Sequence, residues 1–309
     1  MIEVTGLTKK YGAHCAVDDL SFTAEKGKIY GFLGPNGAGK STTMNIMTGY
    51  LAATSGTVVI DGCDILSQPE EAKAKIGYLP EIPPLYPEMT VLEYLRFAAE
   101  LKKLPADGRK EAVAYSMEKT GVAGVQNRLI RNLSKGYRQR VGLAQAIVSN
   151  PEIIILDEPT AGLDPEQQKE MFDYIRSLRE EHIVILSSHI LSDISAICDY
   201  IWILNKGRLV ASDTTKNLRM RMTTAQRITC MVDGFPEQVE KVVACMSGIS
   251  DLMFIPSPDE RGVRFTLTSE ADEDVRAQLS RVLVTAGMGI LEMSRDEQSL
   301  EDVFLTLTS

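Results

Sequence analysis

With 309 residues, 44% of them hydrophobic and 24% charged, the chain has room for two domains with ordinary soluble cores. A net charge of −9 argues against a broad nucleic-acid surface and against a polybasic membrane anchor. No run of about 18 apolar residues is present and the start, MIEVTGLTKKYG, lacks a signal-peptide core, so a cytoplasmic location is expected. Five scattered cysteines without a C-x-x-C pattern make structural disulfides and a zinc site unexpected.

The first 33 residues hold three apolar runs separated by turns, IEV, Ala16 to Phe22 and Ile29 to Leu33, all read as strands. Tyr11 lies in the turn KKYG, either as a plain exposed ring or as a platform on which a base could stack. Behind the third strand comes Gly34 to Ser41, GPNGAGKS, which fits G-x-x-x-x-G-K-[ST]. Glycines let several N–H groups face one anion, Lys40 adds a compact charge, and Ser41 offers a hydroxyl to Mg²⁺. A helix from Thr42 to Met47 points its N-terminus at the same phosphates.

Thr57 to Asp61 and Ile76 to Leu79 read as further strands, the second ending at Pro80 and Glu81. After the loop EIPPLYPEM, Thr90 and Glu93 form a capping box, and helical sequence runs to about Asn150. Within it, Ser134 is placed to cap the helix of LSKGYRQRVGLAQAI. Gly136 in its first turn weakens that helix, which makes sense if something approaches the backbone closely.

Ile153 to Leu156 is a buried strand with Asp157 and Glu158 at its carboxyl end, where ligands bind in open α/β sheets. Such a carboxylate pair needs a cation, and nucleotide-bound Mg²⁺ supplies one. Pro159 is expected to hold Glu158 extended. Asp164 caps the next helix, with Pro165 at its first position. Ile183 to Leu186 is another buried strand leading to His189, at the same end of the sheet as Asp157. A hairpin turning at Asn205 to Gly207 and a polar linker to about Gln226 follow.

From Arg227 the pattern becomes β-α-β-β-α-β-α, a small ferredoxin-like layer whose last helix starts at Ser299. Residues 221–309 carry 15 acidic and 8 basic side chains, −7 of the total −9, so an RNA-binding version of this fold is not expected.

Taken together, GPNGAGKS (Walker A), LSKGYRQR (signature), IIILDEPT (Walker B), AGLDP (D-loop) and SSHI (H-loop) resemble the ATPase subunit of an ATP-binding cassette (ABC) transporter over residues 1–220. The closer resemblance is to bacterial exporters of the drug-resistance and gliding-motility type. It implies an α/β P-loop NTPase cassette, with a RecA-like core, an antiparallel β subdomain and a helical subdomain. Residues 227–309 would form a small α+β ferredoxin-like accessory domain. The expected activity is ATP hydrolysis with Mg²⁺, driving a separate integral membrane permease from the inner face of the membrane.

The resemblance also implies roles. Tyr11, Gly34, Pro35, Asn36, Gly37, Ala38, Gly39, Lys40, Ser41 and Thr42 would bind ATP. Ser41, Asp157 and Glu81 would hold Mg²⁺. Glu158 would be the general base, with His189 helping to place the attacking water. Ser134, Lys135 and Gly136 would grip the ATP of a second, expectedly identical subunit, and Asp164 would couple the two sites. Glu81, Lys135 and Tyr137 depart from the family's commonest glutamine, glycine and glutamine. A soluble ABC ATPase of translation or DNA repair is the rival reading. It is disfavoured by the single phosphate loop, the absence of sustained heptads and the acidity.

Overall fold

Three runs with no polar residue to expose organise the first part of the molecule. All five residues of IYGFL, all five of IIILD and all six of IVILSS are buried, as expected for central strands of a parallel sheet covered on both faces. The structure is a computed structural model and describes residues 1–221, 226–255, 262–269 and 275–296. It divides into two units, the first Met1–Thr215 and the second beginning at Lys216.

In chain order the first unit has β1 (Ile2–Tyr11), β2 (His14–Ala24), β3 (Ile29–Leu33), α1 (Lys40–Met47), β4 (Ser55–Ile60), β5 (Cys63–Asp64), α2 (Pro69–Ala74) and β6 (Ile76–Leu79). Next come α3 (Val91–Leu101), α4 (Ala106–Lys119), α5 (Lys135–Ile147), β7 (Ile153–Asp157), α6 (Pro165–Leu178), β8 (Ile183–Ser188), α7 (Leu191–Ile197), β9 (Tyr200–Asn205) and β10 (Arg208–Thr214). One sheet runs β2-β1-β4-β5, and every pairing in it is antiparallel. The other runs β10-β9-β3-β8-β7-β6, parallel except for β10.

One core joins the two sheets and α1. Ile153, Ile155, Ile183 and Ile185 meet Val4, Leu20, Val58, Met44 and Met47 there. Trp202, 2% exposed, is its largest member and stacks on Tyr30 with centroids 4.9 Å apart. Each such fully buried side chain contributes about 1.5–3 kcal/mol relative to exposure. On the edge strand, a Cβ on Gly77 would lie 2.1 Å from the Ala146 carbonyl oxygen, so only glycine lets β6 lie this close to α5. Helices α3 to α5 keep a core of their own around Leu95, Val113, Met117 and Val141. The Thr90–Glu93 capping box opens α3 in both directions.

A helix, α8 (Thr215–Arg221), leads into the second unit. That unit has β11 (Gln226–Asp233), α9 (Pro236–Val243), β12 (Ile249–Ile255), β13 (Val263–Ser269), α10 (Arg276–Thr285) and β14 (Gly289–Asp296). Its sheet order β12-β13-β11-β14, antiparallel throughout, is the ferredoxin-like arrangement. Ile228, Cys230, Phe265 and Leu267 face Val239, Leu279 and Leu283 in its core. The helix expected from Ser299 lies outside the described residues.

Candidate functional site

The phosphate loop spans the short gap between β3 and α1. Gly39 caps the helix at φ +103°, and a Cβ there would lie 2.6 Å from the Ala16 carbonyl oxygen. A side chain is therefore excluded by both backbone conformation and space. Lys40 is buried and folds back, donating to the carbonyls of Gly34 at 2.7 Å and Pro35 at 3.3 Å. Burial pushes its ammonium below the usual lysine range, while the Glu158 and Asp157 carboxylates pull it up. Ser41 donates to Asp157 Oδ1 at 3.5 Å.

Asp157 ends β7 and pairs with Ser187 on the parallel strand β8. That serine joins the two carboxylate residues: its hydroxyl donates to Asp157 Oδ1 at 2.5 Å and accepts the Glu158 N–H at 2.9 Å. His189 Nδ1 lies 3.0 Å from both carboxylate oxygens of Glu158. Its imidazole is half exposed, whereas Glu158 is nearly covered.

Glu158 is not extended, contrary to the pre-proline rule: its φ is +49°. The chain must leave β7 abruptly, and its turn is fixed by Ser187 on the amide and by Ala161 N–H on the Glu158 carbonyl at 3.1 Å. A non-glycine residue held this way costs about 1–3 kcal/mol, which the surrounding hydrogen bonds offset. Beneath it, Thr160 donates to the buried Asp193 at 2.9 Å, and burial raises the Asp193 pKa despite that bond.

These elements enclose a cavity of about 530 Å³. Tyr11, Asn36, Gly37, Gly39, Lys40, Ser41, Thr42, Glu81, Glu158 and His189 line it. Tyr11 ends β1 and stays 49% exposed, with the Lys9 ammonium 5.2 Å from its ring centroid. Asp157 sits behind Ser41, while Gly34 and Ala38 are buried and do not line the cavity. His14, Ala16 and Ala161 also line the cavity. Sequence reading gave no site role to them or to Ser187, although His14 stands three residues past Tyr11 and Ser187 opens the SSHI segment. The donor set is all oxygen: a hydroxyl, the Asp157 carboxylate and Glu81 at the wall. That suits a hard divalent ion completed by phosphate oxygens.

Ser134, Lys135, Gly136 and Asp164 do not line this cavity. Ser134 caps α5, accepting the Tyr137 N–H at 3.3 Å, and Asp164 caps α6, accepting the Gln167 N–H at 2.9 Å. Gly136 does have a close neighbour, but within its own chain: a Cβ on it would lie 2.6 Å from Gln167 Oε1. The Lys135 ammonium lies against Gly162 of AGLDP, 2.2 Å from where a Cβ would sit.

Fold and cavity define a P-loop nucleotide-binding protein. Residues 17–161 match the family model described as ABC transporter. The bacitracin transport ATP-binding protein BcrA of Bacillus licheniformis is 33% identical over 309 residues, covering 99% of this chain and 97% of that one. The linearmycin resistance ATP-binding protein LnrL of Bacillus subtilis is 29% identical over 100% of this chain and 98% of its own. Among solved structures, a dimeric bacterial ABC transporter cassette superposes with a TM-score of 0.63 at 26% identity, over 70% of this chain and 99% of that one. A post-hydrolysis cassette bound to ADP and Pi superposes with a TM-score of 0.63 at 25% identity, over 70% of this chain and 99% of that one. The chain belongs to the ATP-binding subunits of ABC transporters. It binds ATP and hydrolyses it.

Proposed function

We propose that two copies of this chain pair head to tail around two ATP molecules and drive a separate membrane permease, in the direction of export. One observation carries this. The cavity gathers the phosphate loop, Glu158 and His189, while Ser134, Lys135 and Gly136, at a helix N-terminus suited to phosphate, stand apart from it. A second subunit would bring its own Ser134–Gly136 to the open side.

In this reading Tyr11 stacks on adenine, the Gly34–Gly39 backbone and Thr42 hold phosphates, and Lys40 turns its ammonium from the Gly34 carbonyl to them. Ser41, Asp157 and Glu81 would hold Mg²⁺, which would supply positive charge against the phosphates. Glu158 takes a proton from the attacking water. His189, tied to Glu158 through Nδ1, keeps Nε2 free to face the γ-phosphate. Asp164 and the Lys135–Gly162 contact couple one site to the other.

Residues 1–220 act as the ATPase domain and 227–309 as an accessory domain. No helix among the described residues is long and apolar enough to cross a membrane, so attachment to the inner face of the membrane would run through the permease. Its docking place is the groove of about 460 Å³ lined by Ile82, Pro83, Leu85, Pro87, Ile130 and Arg138. The export direction rests on the linearmycin- and bacitracin-related relatives. The test is nucleotide-dependent dimerisation of Glu158→Gln together with co-purification of an integral membrane protein. A variant that binds ATP and stays monomeric would exclude the composite site.

A further inference from the structure

The phosphate loop must keep its inner side open for a ligand, so whatever holds it has to leave that space unfilled. Its glycines make that need acute, because Gly37 and Gly39 have positive φ and a glycine-rich segment loses much entropy on ordering. Two neighbours crowd its glycines, Leu204 away from the cavity lining and Ala16 on it. The Leu204 carbonyl oxygen lies 2.5 Å from where a Gly34 Cβ would be, and the Ala16 carbonyl oxygen 2.6 Å from where a Gly39 Cβ would be.

Between them stands one residue with two backbone connections. The Gly207 N–H donates to the Ala38 carbonyl in the loop at 3.1 Å, and the Gly207 carbonyl accepts the Asp18 N–H of β2 at 2.9 Å. Gly207 occupies the β9–β10 turn at φ +81°. A Cβ on it would lie 2.9 Å from the Ala16 oxygen and 3.1 Å from the Ala16 carbonyl carbon. Any side chain there presses on Ala16, and Ala16 already touches Gly39. The neighbouring Arg208–Asp18 ion pair is largely exposed on the arginine side, so it adds little.

We propose that Gly207 is a positioning residue for ATP binding, clamping the phosphate loop between β2 and the β9–β10 turn in its phosphate-accepting shape. This rests on the assignment of the loop as the ATP site. Gly207→Ala raises the KM and Kd for ATP by about ten-fold or more, from the displaced backbone, while kcat at saturating ATP stays within about two-fold.

Gly62→Ala is the control, because Gly62 has the same φ of +81° and nothing within 4 Å of its Cβ position. It carries the same backbone strain and leaves KM unchanged. Lys40→Ala in the same assay separates the two readings. If it retains full ATP affinity, the site assignment fails. If it loses affinity and Gly207→Ala does not, only the clamp fails. Should Gly207→Ala not fold, hydrogen exchange on the unmodified protein decides. Because coupling is reciprocal, ATP must slow exchange at the Gly207 and Asp18 amides relative to the apo protein. Unchanged exchange at both would overturn the proposal.

Discussion

At the scale of single residues, the proposed chemistry falls on Glu158. Its carboxylate is nearly covered, touches His189, and sits on a backbone turned to φ +49°. If Glu158 is the base, as proposed, Glu158→Gln keeps the shape and removes that base, so turnover falls by about 10²–10⁴-fold while ATP still binds. Single-turnover hydrolysis measured beside nucleotide binding checks this, and wild-type turnover would remove Glu158 from the mechanism. Asp193 gives a pH prediction. Its pKa in the folded protein is raised by burial above the ordinary 3.8. The folded state therefore holds its proton to higher pH than the unfolded state. Stability is lost as pH rises from the unfolded value to the folded one, and the cost is constant above it. Asp193→Asn keeps an acceptor for Thr160 and removes the charge. Urea unfolding across the carboxylate range should show wild type losing ground to the variant as pH rises, with a constant gap near neutrality. An equal gap at every pH would contradict a buried, proton-holding Asp193.

At the scale of elements, much was readable because the signals are local. The Thr90–Glu93 box, Ser134 ahead of α5, and Asp164–Pro165 ahead of α6 are written in four-residue windows, and all three caps form. The all-apolar runs of β3, β7 and β8 likewise allowed only central strands. What escaped depends on contacts far apart in sequence. Ser187 meets Glu158 across 29 positions, and the pre-proline preference at Glu158 yielded to that bond. Gly136 was read as having a group close to its backbone, and the neighbour within its own chain, Gln167, lies 31 positions away in sequence. The closeness of β6 to α5 was equally hidden. Gly77→Ala would drive a Cβ to 2.1 Å from the Ala146 oxygen, so a loss of about 1–3 kcal/mol is expected. Denaturant titration measures it, and an unchanged midpoint would mean that β6 and α5 separate without cost.

At the scale of the whole molecule, the groove beside Glu81 is the docking place proposed for the permease. Ile82 on its rim is 83% exposed and offers an apolar side chain for a partner to cover. Ile82→Asp should abolish co-purification with an integral membrane protein and leave the basal ATPase rate intact. Retained co-purification would move docking elsewhere. The larger claim is that each nucleotide needs two chains, one giving Lys40, Ser41 and Glu158 and the other Ser134 and Gly136. Its most direct test is the mass of Glu158→Gln in solution by light scattering, with and without Mg-ATP. Two half-sites joined by nucleotide give a monomer alone and a dimer of twice 34.0 kDa once ATP is added. A protein that stays monomeric with ATP at every concentration, while the wild type hydrolyses at full rate, would contradict it.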